Sequence, residues 1–485
     1  MLDNVSFSYA TGKEKSLKNI NLSISKGECV LLTGESGCGK TTITRLINGL
    51  IPNYYEGKLQ GEVLINRNDI KTIELYKIAA IVGSVFQNPK SQFFNSDVKS
   101  ELVFICENMG MHPKDIEERT GRVIEEFSIE KYIGNSVVQL SGGEKQRIAC
   151  AAVSTPDPMI YVLDEPSSNL DTQGIILLRD SIQKLKAQGK TIVIAEHRLH
   201  YLKEIADKVL ILDKGEITSS FIAKDFFSYP KQQIEKHGLR CTYFEYMGYK
   251  EINNISLSKK EIIFKDFFYA HKGQQECIHI EELIIPKGSI TAIIGKNGAG
   301  KSTFSKCLCG IYKKSGILIV NGKKQTYKKR LSSCYMVMQD VNHQLFTESV
   351  IEEVLLSMDQ ENNERAKEVL EQLDLLPFSK RHPVSLSGGQ KQRTAIATAM
   401  GSEREIIVFD EPTSGLDFRH MKEVAKEFRK LADKGKTILI VTHDLELILS
   451  CCNFIVEIER GMVNGAYPLY GNTQKLIDYF EIGGS

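Results

Sequence analysis

The feature that most constrains this chain is an internal repeat. Three motifs occur twice, in the same order: GESGCGKTT at 34–42 and GKNGAGKST at 295–303, LSGGEKQR at 140–147 and LSGGQKQR at 386–393, and VLDEP at 162–166 and VFDEP at 408–412. The second copy follows the first by 261 residues at Lys40 and Lys301, and by 246 residues in the two later motifs. Because solenoid repeats span only about 20–50 residues, a repeat of this size predicts two whole domains of one fold.

Composition narrows the classes of function. Of the 485 residues, 42% are hydrophobic and 25% are charged, as in ordinary soluble domains. The 62 Lys and Arg against 61 Asp and Glu leave a net charge of +1. This balance disfavours nucleic-acid binding as the main activity, because a phosphate backbone requires a basic surface.

The short apolar runs, the lack of a recognised leader and the pattern of cysteines together predict an intracellular protein. Apolar runs fall short of the ~18 residues that a membrane-spanning helix needs, and no leader is recognised, so we expect neither a membrane span nor secretion. The 11 cysteines are odd in number and scattered. We expect them to be reduced core thiols of a cytosolic protein rather than disulfides or a zinc site.

Strand-like and helix-like segments alternate in both copies. Short apolar runs typical of buried strands occur at 28–33, 160–163 and 191–195, and again at 289–294, 406–409 and 437–441. Helical patterns follow the first run of each copy, at 41–50 and 302–309. The alternation predicts an α/β fold with a largely parallel sheet. Apolar periodicity fades between the copies, so we predict domains at 1–228 and 257–485 joined by a connector at 229–256.

Each copy contains G-x-x-x-x-G-K-[ST] between a strand and a helix, the pattern of a phosphate-binding loop. Its glycines let backbone N–H groups point inward, Lys40 supplies a charge for the terminal phosphates, and the Thr41 hydroxyl reaches a magnesium ion. The predicted nucleotide-binding residues of the two loops are Gly34, Gly37, Gly39, Lys40, Thr41 and Thr42, and Gly295, Gly298, Gly300, Lys301, Ser302 and Thr303. At Cys38 a tolerated small side chain is favoured over an oxidation-sensitive thiol.

An acidic pair ends a strand in each copy, at Asp164 and Glu165 and at Asp410 and Glu411. The aspartates are predicted to hold magnesium and the glutamates to polarise an attacking water. A solvated strand end is the alternative, but the recurrence of the pair about 110–125 residues after each loop favours catalysis. A histidine repeats after a later strand, which favours contact with the γ-phosphate over a structural role. The predicted catalytic residues are Glu165, Glu411, His197 and His443.

The tetrapeptide LSGG, between a phosphate loop and an acidic strand end, resembles the signature of ATP-binding-cassette (ABC) ATPases. The resemblance covers both halves and implies two P-loop NTPase domains, each with a mainly parallel sheet, an antiparallel β part and a helical signature subdomain. It also implies that the signature of one domain closes over the ATP held by the other. The first implied site combines Lys40, Thr41, Gln87, Asp164, Glu165 and His197 with Ser387 and Gly389. The second combines Lys301, Ser302, Gln339, Asp410, Glu411 and His443 with Ser141 and Gly143.

Further positions match the same pattern. Tyr9 and Tyr269 match the aromatic residue that stacks on adenine, with core aromatics as the alternative. SNLD at 168–171 and SGLD at 414–417 match the loop that couples the two sites. Because neither copy lacks the glutamate or the histidine, we expect both sites to hydrolyse ATP with Mg²⁺. The implied magnesium contacts are Thr41, Gln87, Asp164, Ser302, Gln339 and Asp410.

The segments that begin at Gln87 and Gln339 read QNPKSQFF and QDVNHQLF and resemble those of energy-coupling-factor importers, which take up vitamins and metal ions. This resemblance implies a fused ATPase pair at the cytoplasmic face of the cell membrane. Its partners would be an integral-membrane scaffold subunit and a separate substrate-binding membrane subunit. Ordinary surface turns are the alternative for these segments. For the whole chain, the alternatives are the ATPase of a sugar or other importer, a tandem ABC ATPase acting on ribosomes, and a nucleotide sensor without turnover.

Overall fold

A computed structural model describes residues 1–10, 15–87, 91–140, 142–168, 170–243, 260–270, 276–313 and 315–482. Contacts divide the chain into two compact units, Met1–Met247 and Gly248–Ser485, called the first unit and the second unit below. Two units of one architecture are what the internal repeat predicts. The division falls inside the predicted connector 229–256, whose own limits stay a prediction.

Strands and helices alternate along the first unit. Its strands are β1 (Leu2–Tyr9), β2 (Leu17–Leu22), β3 (Cys29–Gly34), β4 (Gly57–Ile65), β5 (Asn68–Asp69), β6 (Val82–Val85), β7 (Ile160–Asp164), β8 (Thr191–Ala195), β9 (Lys208–Asp213) and β10 (Glu216–Ile222). Its helices are α1 (Lys40–Ile47), α2 (Leu50–Asn53), α3 (Leu75–Ile81), α4 (Val98–Asn108), α5 (Pro113–Glu126), α6 (Gly142–Ser154), α7 (Thr172–Ala187), α8 (Ala223–Phe226) and α9 (Lys231–Lys236). Short 3-10 helices lie at Glu130–Tyr132, Val137–Gln139 and His200–Leu202.

The main sheet of the first unit has the strand order β10-β9-β3-β8-β7-β6. Neighbours from β9 to β6 run parallel, and β10 pairs with β9 in antiparallel fashion. Strand β3 is buried along its whole length, as expected of a parallel strand with helices on both faces. Its side chains alternate between two buried clusters, because Leu32 packs in one with Ile43 of α1 and Leu31 packs in the other with Ile182 of α7.

Two further parts complete the first unit. An antiparallel sheet has the strand order β2-β1-β4-β5, with Phe7 opposite Leu59. Helices α4, α5 and α6 contribute Leu102, Val123 and Ile148 to one buried cluster, and α6 begins within the repeated LSGG motif. The architecture confirms the predicted α/β class, with its antiparallel part and its helical signature part.

The beginning of the predicted connector packs onto the first unit. Helix α9 contributes Ile234, and Leu239 follows it into the same buried cluster. Residues 244–256 of the connector lie outside the described residues.

The second unit repeats this order of elements. Its strands are β11 (Glu261–Ala270), β12 (Glu276–Pro286), β13 (Ile290–Ile294), β14 (Ile317–Val320), β15 (Lys323–Lys324), β16 (Cys334–Val337), β17 (Ile406–Asp410), β18 (Thr437–Val441), β19 (Phe454–Glu459) and β20 (Met462–Pro468). Its helices are α10 (Lys301–Leu308), α11 (Tyr327–Ser333), α12 (Val350–Leu356), α13 (Asn363–Gln372), α14 (Gly388–Gly401), α15 (Phe418–Asp433), α16 (Leu445–Cys451) and α17 (Thr473–Ile482). Short 3-10 helices lie at Val341–His343, Leu376–Phe378 and Pro383–Ser385.

The sheets of the second unit match those of the first. The main sheet has the order β16-β17-β18-β13-β19-β20, and the antiparallel sheet has the order β12-β11-β14-β15. Strand β13 lies between β18 and β19 in parallel register, as β3 lies between β8 and β9. Ile293 of this strand packs in one buried cluster with Phe304 of α10.

Two further properties concern the apolar character of the helices and the state of the cysteines. Within the described residues, none of the helices combines the length and the apolar character that crossing a bilayer requires. The cysteines are all free thiols, and every one except the half-buried Cys277 is buried.

Candidate nucleotide-binding sites

A tight loop joins the central strand to a helix in each unit. Gly34 ends β3 with φ +142°, and Gly295 follows β13 with φ +156°. A Cβ atom at Gly34 would lie 2.1 Å from the carbonyl oxygen of Leu212, and one at Gly295 would lie 2.2 Å from that of Ile458. Because no side chain fits so close to a backbone oxygen, only glycine is compatible with these two positions.

Each loop surrounds a buried lysine at the first residue of the following helix. Lys40 is 4% exposed, and its amino group donates to the carbonyl oxygens of Gly34 at 2.9 Å and of the next residue at 3.0 Å. Lys301 is 7% exposed and donates to the carbonyl oxygens of Gly295 at 2.6 Å and of the next residue at 2.9 Å. The two loops therefore hold a positive charge at a helix N-terminus in the same way.

These loops fit the phosphates of a nucleotide. Helices α1 and α10 begin after a glycine in the left-handed region, Gly39 at φ +110° and Gly300 at φ +100°. The first backbone N–H groups of a helix have no acceptor inside it, and neither helix has an acidic side chain in its first turn. Backbone N–H groups that have no acceptor within their own helix, together with a buried lysine, form the arrangement that binds phosphate.

Asp164 and Asp410 lie beside the hydroxyl group of the loop helix. The Thr41 hydroxyl donates to Asp164 at 3.3 Å, and the Ser302 hydroxyl hydrogen-bonds Asp410. Burial raises the pKa of Asp164 to about 6, with a smaller contribution from the adjacent Glu165, and burial also raises the pKa of Asp410. A hydroxyl oxygen beside a poorly solvated carboxylate suits Mg²⁺, which prefers oxygen ligands and restores the charged form.

The predicted catalytic glutamate and histidine of each unit lie together. In the first unit, Nε2 of His197 is 3.4 Å from Oε1 of Glu165, and Nε2 of Gln87 donates to Oε2 at 2.6 Å. In the second unit, Nε2 of His443 is 3.6 Å from Oε1 of Glu411, and the backbone N–H of the histidine donates to Oε2 at 3.4 Å. Gln339, the counterpart of the first-unit glutamine, is exposed.

Both glutamates have a left-handed backbone, with φ +46° at Glu165 and φ +52° at Glu411. Such a conformation is costly for a residue other than glycine and persists only where the surroundings hold it. The backbone N–H of Glu165 donates to Ala195 at 2.8 Å, and that of Glu411 donates to Val441 at 2.9 Å. The same strained turn at the same position of both units supports a role in aiming the carboxylate.

The two tyrosines predicted to contact adenine are half-buried and lie near the loop helix. The Tyr9 hydroxyl is 3.2 Å from the Thr42 hydroxyl and accepts a hydrogen bond from Arg45 at 2.9 Å. The Tyr269 ring stacks on Tyr312 with centroids 4.1 Å apart and planes 4° apart. Adenine contact by Tyr9 and Tyr269 stays a prediction.

The signature residues lie at helix N-termini. Ser387 caps α14, since its hydroxyl accepts from the backbone N–H of Gln390 at 3.4 Å and its own N–H donates to the Gln390 side chain at 3.0 Å. Gly389 and Gly143 lie in the first turns of α14 and α6. Ser141 lies outside the described residues. The pairing of these residues with the opposite unit stays a prediction.

Three contacts were not anticipated from the sequence. Glu196 is only 2% exposed and accepts four hydrogen bonds next to the first histidine. Arg45 lies over the Tyr55 ring at 4.0 Å from its centroid. Gln392, within the second LSGGQKQR motif, donates to the backbone oxygen of Glu411 at 3.3 Å. A carboxylate directly after the apolar run 191–195 was an available signal for Glu196, whereas no local pattern marks Arg45.

Comparisons with known proteins cover nearly the whole chain. A family model described as ABC transporter matches residues 17–168 and 279–414. A Treponema denticola protein, provisionally named an ABC transporter ATP-binding protein, is 43% identical over 468 residues, which cover 95% of this chain and 96% of the relative. A second protein of that organism with the same name is 38% identical and covers 98% of both chains. A solved structure described as RNase-L Inhibitor has a TM-score of 0.66 and 21% identity over 99% of this chain and 93% of its own, a likeness of fold alone.

Proposed function

Because the chain belongs to the ABC transporter family and is an ATPase that uses ATP with Mg²⁺, we propose that it hydrolyses ATP at two composite head-to-tail sites to power the import of a small molecule. The cargo is of the vitamin or metal-ion class and passes through separate membrane subunits, as in energy-coupling-factor importers. In this proposal the chain works at the cytoplasmic face of the cell membrane. Its partners are an integral-membrane scaffold subunit and a substrate-binding membrane subunit.

The observation that carries the proposal of two active sites is the completeness of both units. Each unit has a buried loop lysine and a hydroxyl group that is hydrogen-bonded to an aspartate. Each also has a glutamate beside a histidine, at 3.4 Å in the first unit and 3.6 Å in the second. A sensor that binds ATP without turnover has no use for a strained glutamate beside a histidine. Completeness in both copies therefore favours hydrolysis at both sites.

The residues of each site divide the work. The loop lysine and the helix N-terminus hold the terminal phosphates, and Thr41, Gln87 and Asp164 would hold the magnesium ion. When bound, Mg²⁺ neutralises charge on the β- and γ-phosphates. Glu165 accepts the proton of the attacking water, with its carboxylate oriented by Gln87 and His197. Glu411 and its histidine do the same in the second unit.

The composite arrangement is proposed from the family pattern. Ser387 and Gly389 close over the nucleotide of the first unit, and the signature of the first unit closes over that of the second. The full-length chain with Gly389→Asp should therefore lose at least half of its phosphate release while still binding ATP, because the new carboxylate repels the phosphates. Gly121→Asp, on an exposed part of α5, is the matched control. Turnover equal to the control would refute the composite site.

An exposed apolar patch follows the glutamine that both copies contain, Gln87 and Gln339, and supports the choice of partner. Phe94 is 78% exposed and stacks on Phe104 with centroids 4.9 Å apart. Phe346 is 73% exposed, and Leu356, at the position equivalent to Phe104, is 58% exposed. Exposed apolar groups at equivalent positions of both units are typical of a docking surface.

The backbone of each patch is held by a buried carboxylate. Glu101 is 4% exposed and accepts from the backbone N–H groups of Phe94, at 3.1 Å, and of the next residue, at 2.8 Å. Glu353, also 4% exposed, accepts from Phe346 and from the next residue in the same way. We propose that these ordered phenylalanines receive cytoplasmic helices of the scaffold subunit and pass domain motion to it.

Phosphate release tests the ATPase sites directly. Glu165→Gln and Glu411→Gln should each remove at least half of the turnover, because an amide cannot accept the proton. Glu117→Gln, exposed on α5, is the control and should match the unmodified chain. If either site variant keeps full turnover, hydrolysis at both sites is refuted.

Association with the membrane partner is tested separately. The chain should co-purify in detergent with a multi-span membrane subunit encoded beside it, and Phe94→Ala with Phe346→Ala should abolish this association while basal ATP turnover stays unchanged. Met462→Ala, a 55% exposed apolar residue elsewhere, is the control. Undiminished association of the double variant would refute the docking surface, and co-sedimentation with ribosomes instead of membranes would refute the transport proposal.

A further inference from the structure

The residues that flank the two catalytic histidines differ between the units. The first unit reads EHRLHY at 196–201, and the second reads THDLEL at 442–447. The acidic residue thus precedes the histidine in the first unit and follows it in the second. Both acidic side chains are buried, with Glu196 2% exposed and Asp444 4% exposed.

In the first unit, Glu196 joins the histidine to the segment after the catalytic glutamate. Its Oε1 atom accepts the backbone N–H groups of His197 at 2.7 Å and Arg198 at 3.2 Å. Its Oε2 atom accepts the backbone N–H of Ser167 at 3.2 Å and the hydroxyl of Tyr201 at 3.0 Å. One side chain therefore ties the histidine backbone to a residue two positions after Glu165.

In the second unit, Asp444 performs the same connection from the other side of the histidine. Its Oδ2 atom accepts the hydroxyl of Thr413, the counterpart of Ser167, at 2.8 Å. Its Oδ1 atom accepts the backbone N–H of Leu447 at 3.2 Å at the start of α16, and its own N–H donates to Thr442 at 3.0 Å. The segment after Glu411 is thus again tied to the histidine segment by a buried carboxylate.

The different position of the acidic residue changes the acceptor of the hydrogen bond from the histidine backbone N–H. In the first unit the N–H of His197 goes to Glu196, and in the second unit the N–H of His443 goes to Glu411 itself at 3.4 Å. We infer that Glu196 is a positioning residue for the first-unit site, where it holds His197 and Glu165 in register, and that Asp444 is its functional equivalent in the second unit. This inference rests on the catalytic roles proposed above for the glutamates and histidines.

The hydrogen-bond pattern explains why a carboxylate is needed at Glu196. Four donors converge on its two oxygens, and a carboxylate is the side chain that only accepts. A glutamine at this position has one accepting oxygen and one donating amide. In one orientation its amide would face the N–H of Ser167, and in the other it would face the N–H groups of His197 and Arg198, so in both a donor would meet a donor and the connection would break on one side.

The test compares two full-length variants by steady-state phosphate release. Glu196→Gln should lower kcat to half of the unmodified value or less and change KM by less than about twofold, because a loosened glutamate and histidine affect the chemical step more than binding. The triple variant E196T/R198D/Y201L installs the arrangement of the second unit and should return kcat to at least four fifths of the unmodified value. Glu204→Gln, an exposed carboxylate of the same segment, is the control.

The outcomes separate this inference from the proposed function. A Glu196→Gln variant with unmodified kcat would overturn the positioning role. A triple variant that folds and binds ATP but keeps half of the unmodified kcat or less would overturn the equivalence with Asp444. Because this criterion refers to the unmodified chain, the triple variant decides the question even if Glu196→Gln fails to fold. If Glu165→Gln also keeps full turnover, the proposed catalytic role fails instead, whatever the result at Glu196.

Discussion

Replacing Glu101 by alanine should release the loop that presents Phe94. The carboxylate of Glu101 lies on α4 and accepts from the backbone N–H groups of Phe94 and Asn95, and from the side-chain amide of Asn95 at 3.3 Å. Within the described part of the chain, the Glu101 carboxylate makes its hydrogen bonds with Phe94 and Asn95 and none with the phosphate loop. The expected change is therefore local mobility rather than loss of ATP binding.

The magnitude follows from the donors left without an acceptor. A stranded buried donor costs about 1–3 kcal/mol, and the low end applies here because both N–H groups are only partly buried and water replaces the carboxylate in part. Two such donors give about 2 kcal/mol, which corresponds to a roughly 30-fold loss of protection from amide exchange.

Hydrogen exchange read by mass spectrometry measures this change in the peptide that covers 91–96. Glu107→Ala is the matched control, since Glu107 lies exposed near the end of the same helix. Peptides of the central strand β3 provide an internal reference for global unfolding. Glu353→Ala should have the same effect on the peptide that contains Phe346.

Equal protection of the 91–96 peptide in the Glu101→Ala and Glu107→Ala variants would refute the reasoning. A loss of protection that extends to β3 would also refute it, because the effect would then be global destabilisation. In either case the buried glutamates could not be said to hold the exposed phenylalanines in place.

Three further predictions concern the nucleotide sites and the core. Lys301→Ala should remove one of two ATP-binding events in a calorimetric titration, because the buried ammonium group of the second loop is lost; two intact events would contradict its role. Phe304→Ala should lower the free energy of unfolding of the second unit by about 3–5 kcal/mol, measured by urea denaturation, because its ring is fully buried against Phe264 and Phe267. Chelation of Mg²⁺ should abolish phosphate release and its re-addition should restore it; release that persists in excess chelator would contradict the magnesium requirement.

The phosphate loops were predictable because their requirements are local. Gly34 and Lys40 lie within one nine-residue motif, and the close approach to a backbone oxygen at Gly34 is a constraint that no other residue type meets. The alternation of buried strands and helices was equally local, since strands such as β3 consist mainly of apolar residues and are buried along their whole length. The α/β fold was therefore predicted correctly from features set by neighbours in sequence, and the nucleotide-binding role of the loop residues stays a prediction.

Features set by distant contacts were not readable in the same way. The hydrogen bond from Arg45 to Tyr9 spans 36 residues, and that from Ser167 to Glu196 spans 29. The local sequence pattern does not show which residue of a distant strand or turn each of these side chains will contact. The sequence also did not show which of Phe93 and Phe94 is exposed, because two adjacent aromatic residues carry no local sign of which one packs against the core.

The two copies within one chain separate what a site of this type requires from what it tolerates. Both units keep the lysine on its loop carbonyls and the left-handed glutamate, so these features are set by the chemistry. The residues that hold the histidine segment differ between the units. Glu196 accepts a hydrogen bond from the backbone N–H of His197, whereas Asp444 follows the second histidine and accepts one from the hydroxyl of Thr413. Gln87 bonds the carboxylate of Glu165, whereas Gln392 bonds the backbone of the second glutamate. The support of the histidine segment is therefore the part of the site that two complete copies in one protein can vary, whereas the loop lysine and the left-handed glutamate are kept in both.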